Sequence, residues 1–141
     1  MFNRCIYFNL NTLTRNINKV WDTAFKKHGL SPAHGYLLRV VLSHPGMTQK
    51  EIADELSLDP STVTRFIDAL SARGMIERQS SKDNARESTI FPTRQGKALQ
   101  DELEKTGRNL YKSMRKTLGA RRFDNFVKEL RAVRAIISPQ D

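Results

Sequence analysis

The sequence predicts a mainly α-helical fold: a winged helix-turn-helix with flanking N- and C-terminal dimerisation helices. Three observations predict it. Two short helical segments, around 48–56 and 60–73, are separated by only three or four residues. After Gly74 the apolar pattern changes from helical to strand-like on either side of a polar turn. Residues 6–28 and 95–137 carry more apolar face than one small domain can cover, which predicts a partner chain. Three regions follow: an N-terminal helix over 1–30, a central lobe over 31–97 and terminal helices over 98–141.

Leu10, Leu13, Ile17, Val20 and Ala24 fall at helical spacing and mark a first helix over about 6–28, stopped by Gly29. Ser31-Pro32 supplies a cap and a first-turn proline for a second helix to residue 43, ended by His44-Pro45-Gly46. Thr48, with Glu51 three residues on, has the spacing of a capping box, and Met47 and Ile52 that of a hydrophobic staple. The short helix that follows ends at Leu56. Asp59-Pro60 opens the next, again as cap and proline, with Val63, Phe66, Ile67 and Leu70 as its buried stripe. Ser61, Thr62, Thr64, Arg65 and Asp68 face the other way. Residues 75–78 and 88–91 read as the strands of a hairpin. Thr93 caps a long helix bearing Leu99, Leu103, Leu110, Met114 and Leu118. Gly119 interrupts it, and Phe123 to Ile137 continue on a final helix.

The chain of 141 residues is 38% hydrophobic and 28% charged, values of a soluble globular protein able to bury a core. No apolar run approaches the roughly 18 residues of a membrane span. The polar N-terminus lacks the continuous apolar stretch of a secretory signal, so the expected compartment is the cytoplasm. A single cysteine excludes an internal disulfide and any multi-cysteine zinc site, and His28, His34 and His44 lack ligand-like spacing. No metal and no cofactor are expected. The net charge of +9 points to a polyanionic partner. The basic residues concentrate at both ends: Arg4, Arg15, Lys19, Lys26 and Lys27 stand against Asp22, and residues 105–141 are rich in Lys and Arg.

A short helix with a polar outer face suits a DNA major groove about 12 Å wide, and a charged hairpin suits the neighbouring backbone or minor groove. Double-stranded DNA is therefore the expected partner. At this point the run PSTVTRFIDALSARGMIER, Pro60 to Arg78, resembles the recognition helix and first wing strand of the MarR family of winged helix-turn-helix regulators. The order of elements extends the resemblance over nearly the whole chain. The family's wing motif is matched at Arg86 and Thr93. Asn84 stands where an acidic residue is usual, with Asp83 one position early, and Pro92 where leucine is usual. The resemblance implies a homodimer that presents two recognition helices to a pseudo-palindromic operator. It also implies control by a small, often aromatic, effector.

The candidate DNA-binding residues are Ser61, Thr62, Thr64, Arg65, Arg78, Lys82, Asn84 and Arg86. Arg65 is placed for a guanine contact, against a surface ion pair with Asp68 or Glu77. Ser61 and Thr62 serve either DNA or their own helix start. Arg78 either meets DNA or holds the hairpin onto the domain; Arg86 makes a minor-groove or phosphate contact or is a solvated turn charge, and Lys82 is a phosphate contact. Trp21, His34 and Tyr36 line either an effector cleft or a dimer core. Cys5, with Ile6-Tyr7-Phe8, loosely resembles the peroxide-sensing branch of the family; an ordinary free cysteine is the alternative, and Arg4 is its one cationic neighbour in sequence. Three function classes result: an operator-binding regulator acting as a repressor, a redox-sensing variant of it, or a winged helix used for protein contact. An enzyme is not expected, since no nucleophile–base pair, phosphate loop or paired-carboxylate site is evident.

Overall fold

The computed structural model describes residues 1–80 and 87–138. The elements run α1 (Ile6–Phe25), a 3-10 turn (Lys26–His28), α2 (Pro32–Ser43), β1 (Met47–Thr48), α3 (Gln49–Leu56), α4 (Pro60–Ala72), β2 (Ile76–Ser80), β3 (Ser88–Pro92), α5 (Arg94–Lys97), α6 (Gln100–Leu118) and α7 (Ala120–Ile136). Among the described residues, no helix is long and apolar enough to cross a membrane. The chain divides into two compact units, residues 1–104 and 105–141.

The first unit contains the winged helix. Gly29, at φ +65°, lets the chain leave the 3-10 turn in the left-handed conformation that glycine adopts without strain. Ser31 caps α2 by accepting from the His34 amide at 3.2 Å, with Pro32 in the first turn. The capping box of α3 is complete: Thr48 Oγ1 accepts from the Glu51 amide at 3.2 Å, and the Glu51 carboxylate accepts from the Thr48 amide at 2.8 Å. Ser57, in the left-handed region at φ +52°, turns the chain from α3 to α4. Asp59 was expected to cap α4 through its side chain but makes no such bond. Its backbone is extended, and Pro60, whose ring presets the helical φ, starts the helix instead.

The sheet has three strands in the order β1-β3-β2, all pairs antiparallel. Ile76 pairs with Pro92 and Ser80 with Ser88 along the hairpin, and Met47 and Thr48 pair with Ile90 and Thr89. The core gathers Phe25, Leu37, Leu38, Val41, Ile52, Val63, Ile67, Leu70, Ile76, Ile90 and Leu103, all fully or almost fully buried. Phe25 packs against Tyr36, whose hydroxyl accepts from Trp21 Nε1 at 3.1 Å, so α1 and α2 are joined by aromatic side chains. His34, two residues before Tyr36, points away from that group and meets Phe66 of α4 edge-on at 4.7 Å between centroids. Side chains two apart on a helix leave it in nearly opposite directions. Trp21, His34 and Tyr36 therefore do not form a single aromatic cluster.

The helix expected to run unbroken from Thr93 is divided in two. Thr93 caps α5 by accepting from the Gly96 amide at 3.1 Å, while its hydroxyl donates to the Gly74 carbonyl oxygen at 2.5 Å. Gly96 backs directly onto β2's entry: a methyl group there would lie 2.1 Å from the Met75 carbonyl oxygen. At Leu99 the backbone bond shortens to a three-residue step, onto the Gly96 carbonyl, before α6 begins.

In the second unit α6 continues to Leu118, and Gly119, at φ +85°, reverses the chain into α7. Tyr111 and Phe123 meet edge-to-face at 5.4 Å, and Arg115 grips Asp124 through two bonds of 2.9 and 3.2 Å. The pairing with Arg115 holds the Asp124 carboxyl below its ordinary range. Phe126, Val127, Leu130, Val133, Ile136 and Ile137 of this unit are exposed, as are Ile6, Tyr7, Phe8, Leu10, Leu13 and Val20 of α1 in the other.

Two stability predictions follow from this packing. Gly96→Ala should destabilise the protein by about 2–3 kcal/mol in urea unfolding at fixed protein concentration, because the added carbon meets backbone and not a flexible side chain. A wild-type midpoint for this variant would refute the close approach. The second concerns pH. Burial, and secondarily the Arg73 cation, lower the His34 pKa in the folded state. The unfolded chain therefore binds the proton more readily, so stability is intact above the ordinary histidine value and declines as pH falls from it to the lowered one. His34→Gln should flatten part of that decline. His28, lowered by burial and by Lys27, should leave a residual slope.

Candidate nucleic-acid interface

α4 presents its polar side outward because its apolar side is fully committed. Val63, Ile67 and Leu70 are completely buried, Phe66 is half-buried, and Ser61, Thr64, Arg65 and Asp68 are exposed. Thr62 is half-buried and accepts from Arg65 Nη2 at 3.4 Å. Arg65 is thus not paired with Asp68 or Glu77, the two carboxylates considered from sequence. Its guanidinium leans along its own helix at a long hydrogen-bond distance and carries further donors.

Asp68 is taken by Arg78 instead. Arg78 lies on β2 two residues beyond buried Ile76, so both side chains leave the same face of the strand, toward the helices. Its Nη2 donates to Asp68 Oδ1, and its Nε donates to Gln49 Oε1 at 3.1 Å. Gln49 Nε2 in turn donates to Thr64 Oγ1 at 3.1 Å, and Thr64 Oγ1 donates to the Pro60 carbonyl oxygen at 3.0 Å. Four side chains from α3, α4 and β2 are thereby linked in one row. Of the alternatives for Arg78, holding the hairpin to the domain is the one this geometry displays. The ion pair is partly solvated, with 32% of the Arg78 and 59% of the Asp68 side chain exposed. Such pairs contribute at most about 1 kcal/mol, so this one orients the guanidinium more than it stabilises the fold.

The structure brings Ser61, Thr62, Thr64, Arg65 and Arg78 into one neighbourhood. Lys82, Asn84 and Arg86, the hairpin residues named from sequence, lie outside the described residues. Gln49 was not anticipated. Its partners are 15 and 29 residues away in sequence, so no local motif marks it. At the far end of α4, Arg73 Nη1 donates to the Gly29 carbonyl oxygen at 2.7 Å, tying the helix to the loop between α1 and α2. Cys5 sits half-buried at the start of α1, where its carbonyl oxygen accepts from the Asn9 amide and side chain.

A family model described as MarR family matches residues 30–88. The uncharacterized HTH-type transcriptional regulator YybA of Bacillus subtilis (strain 168) is 24% identical over 98 residues. The alignment covers 70% of this chain and 65% of YybA, just under two thirds of that relative's length. The S. aureus MepR–DNA complex superposes with a TM-score of 0.84 at 16% identity, covering 93% of this chain and 96% of MepR. PcaV from Streptomyces coelicolor, in complex with its natural ligand, gives 0.84 at 20% identity, with 94% of each chain covered. At these identities the two structures establish the fold. The region that holds α2 to β2 thus matches the MarR family model, and the fold around it is that of these solved regulators.

Proposed function

We propose that the protein represses transcription by binding a pseudo-palindromic operator as a homodimer, and that a small-molecule effector releases it. The observation that carries this reading is the outward face of α4, whose exposed Arg65 projects from a helix fixed in rotation by Val63, Ile67 and Leu70. A recognition helix needs that combination of a rigid seat and free polar side chains. The DNA complex of MepR supports the same use of the fold, and the ligand complex of PcaV supports effector control. The exposed apolar residues of α1 and α7 support the homodimer, since a second copy would bury them. In this reading Ser61, Thr62 and Arg65 face the major groove, with Lys82, Asn84 and Arg86 on the hairpin side.

Two measurements test the proposal. Arg65→Ala should weaken operator binding by about 1–3 kcal/mol per half-site and relax sequence preference, with an unchanged thermal midpoint because the side chain is outside the core. Affinities for operator and random duplexes over a salt series decide it; wild-type values for both would remove α4 from the interface. Light scattering at micromolar concentration should give the mass of a dimer, and a monomer mass would end the two-half-site mechanism.

A further inference from the structure

The operator site leaves most of the protein's positive charge unused. Residues 31–97, which hold α2 to α5 and the hairpin, contain nine Lys and Arg against eight Asp and Glu and are close to neutral. Residues 105–141 contain ten Lys and Arg against three acids, Asp124, Glu129 and Asp141. They form a compact unit apart from the one that contains α4. Lys105, Lys112 and Lys116 are exposed and follow one another at i, i+7 and i+11 on α6, within about 40° around the helix. Leu103, Thr106 and Leu110, on the opposite side of the same helix, are buried. On α7, Arg121, Lys128 and Arg131 are exposed on the side away from Phe126, Leu130 and Val133. Asp124 lies among them, but its carboxylate is already gripped by Arg115.

We propose that the outer faces of α6 and α7 form a second nucleic-acid surface, which holds the phosphate backbone of a second duplex without reading its bases. The proposal goes beyond the operator-binding reading, because its cations belong to a different unit of the chain from α4. The lysine row runs about 16 Å along α6, a length over which a duplex displays about ten phosphates. Lysine is a flexible point charge, which suits phosphate oxygens and carries no pattern that tells one base from another. The apolar stripe of α7 that a second copy would cover lies on the other side of the helix. Self-association therefore leaves Arg121, Lys128 and Arg131 at the surface. Pairing two such units also doubles a like charge within one assembly, and this raises the potential that attracts a polyanion. Selection and capture are thus divided: a near-neutral lobe selects through the groups on α4, and diffuse charge on the terminal helices captures.

The test is capture of a second duplex. A short duplex that wild type selects from a random pool is fixed to beads and saturated with protein. A labelled duplex of random sequence is then added over a series of about 50–200 mM salt. Wild type should retain the label. The triple variant Lys105→Gln, Lys112→Gln, Lys116→Gln should retain it about tenfold less, with a salt slope lowered by about 0.9 for each lysine that meets a phosphate. It should still enrich the wild-type site from the pool and give the wild-type mass in light scattering, because these lysines are outside both the α4 face and the apolar stripe. The double variant Arg121→Gln, Lys128→Gln should lower capture in the same assay, and it decides the point if the lysine variant fails to fold. Equal capture by wild type and the lysine variant overturns the proposal, as does wild type that retains no label on saturated beads. Displacement of the label by single-stranded RNA at a lower concentration than by duplex DNA overturns it too, since the surface then fits a different polymer. A pool from which wild type enriches nothing overturns the operator-binding reading instead, and beads carrying a random duplex then still decide whether a second duplex is captured.

Discussion

What the outward face of α4 can present depends on how the helix is seated, and the seat is apolar. Val63, Ile67 and Leu70 lie on one stripe of the helix and are fully buried, each worth about 1.5–3 kcal/mol relative to exposure. The partly solvated Arg78–Asp68 pair contributes at most about 1 kcal/mol, so burial decides where the helix lies and the polar contacts only orient what it carries. Rotating α4 by one residue would expose part of that stripe and bury Arg65 or Asp68 without a partner, at a cost far above any gain at the surface. Arg73 adds a fixed point at the other end by bonding the Gly29 carbonyl oxygen. The helix is therefore held along its length and at its exit, while its outward groups remain available.

The two units differ in what holds them. Residues 1–104 have a continuous core built from α2, α3, α4, the sheet and parts of α1 and α6. Within residues 105–141, Tyr111 meets Phe123 and Arg115 forks onto Asp124 across Gly119. This unit keeps a large apolar area in contact with solvent. Its helices are accordingly a less self-sufficient structure than the winged helix, and a short helical hairpin with an uncovered apolar face gains most of its stability from packing against something else.

Much of this was legible in the sequence because it is written in local chemistry. Ser31-Pro32, Thr48 with Glu51, and Thr93 announce helix starts, and each does so in the structure. The period of Val63, Ile67 and Leu70 located the buried side of α4, and with it the outward face bearing Arg65. What escaped depends on neighbours distant in sequence. β1 is two residues long and exists only because β3 lies beside it. The break between α5 and α6 falls where the Leu99 amide turns to the Gly96 carbonyl oxygen, which no helical pattern records. Asp59 has the composition of a cap without the bond, since Pro60 already starts the helix. The pairing of Arg78 with Asp68, and the place of Gln49 between Arg78 and Thr64, need the tertiary fold before they can be seen.

Thr48 occupies two structures at once. Its backbone belongs to β1, in register with Thr89, and its hydroxyl closes the first turn of α3. The base of the hairpin is thus fastened to α3, the helix that precedes α4. Material inserted between Ser80 and Glu87 enters beyond the last described strand pair, Ser80 with Ser88, and leaves that fastening alone. A fluorophore or a purification handle inserted between Ser80 and Glu87 would therefore leave the Thr48 fastening in place while the motions of the lobe are followed.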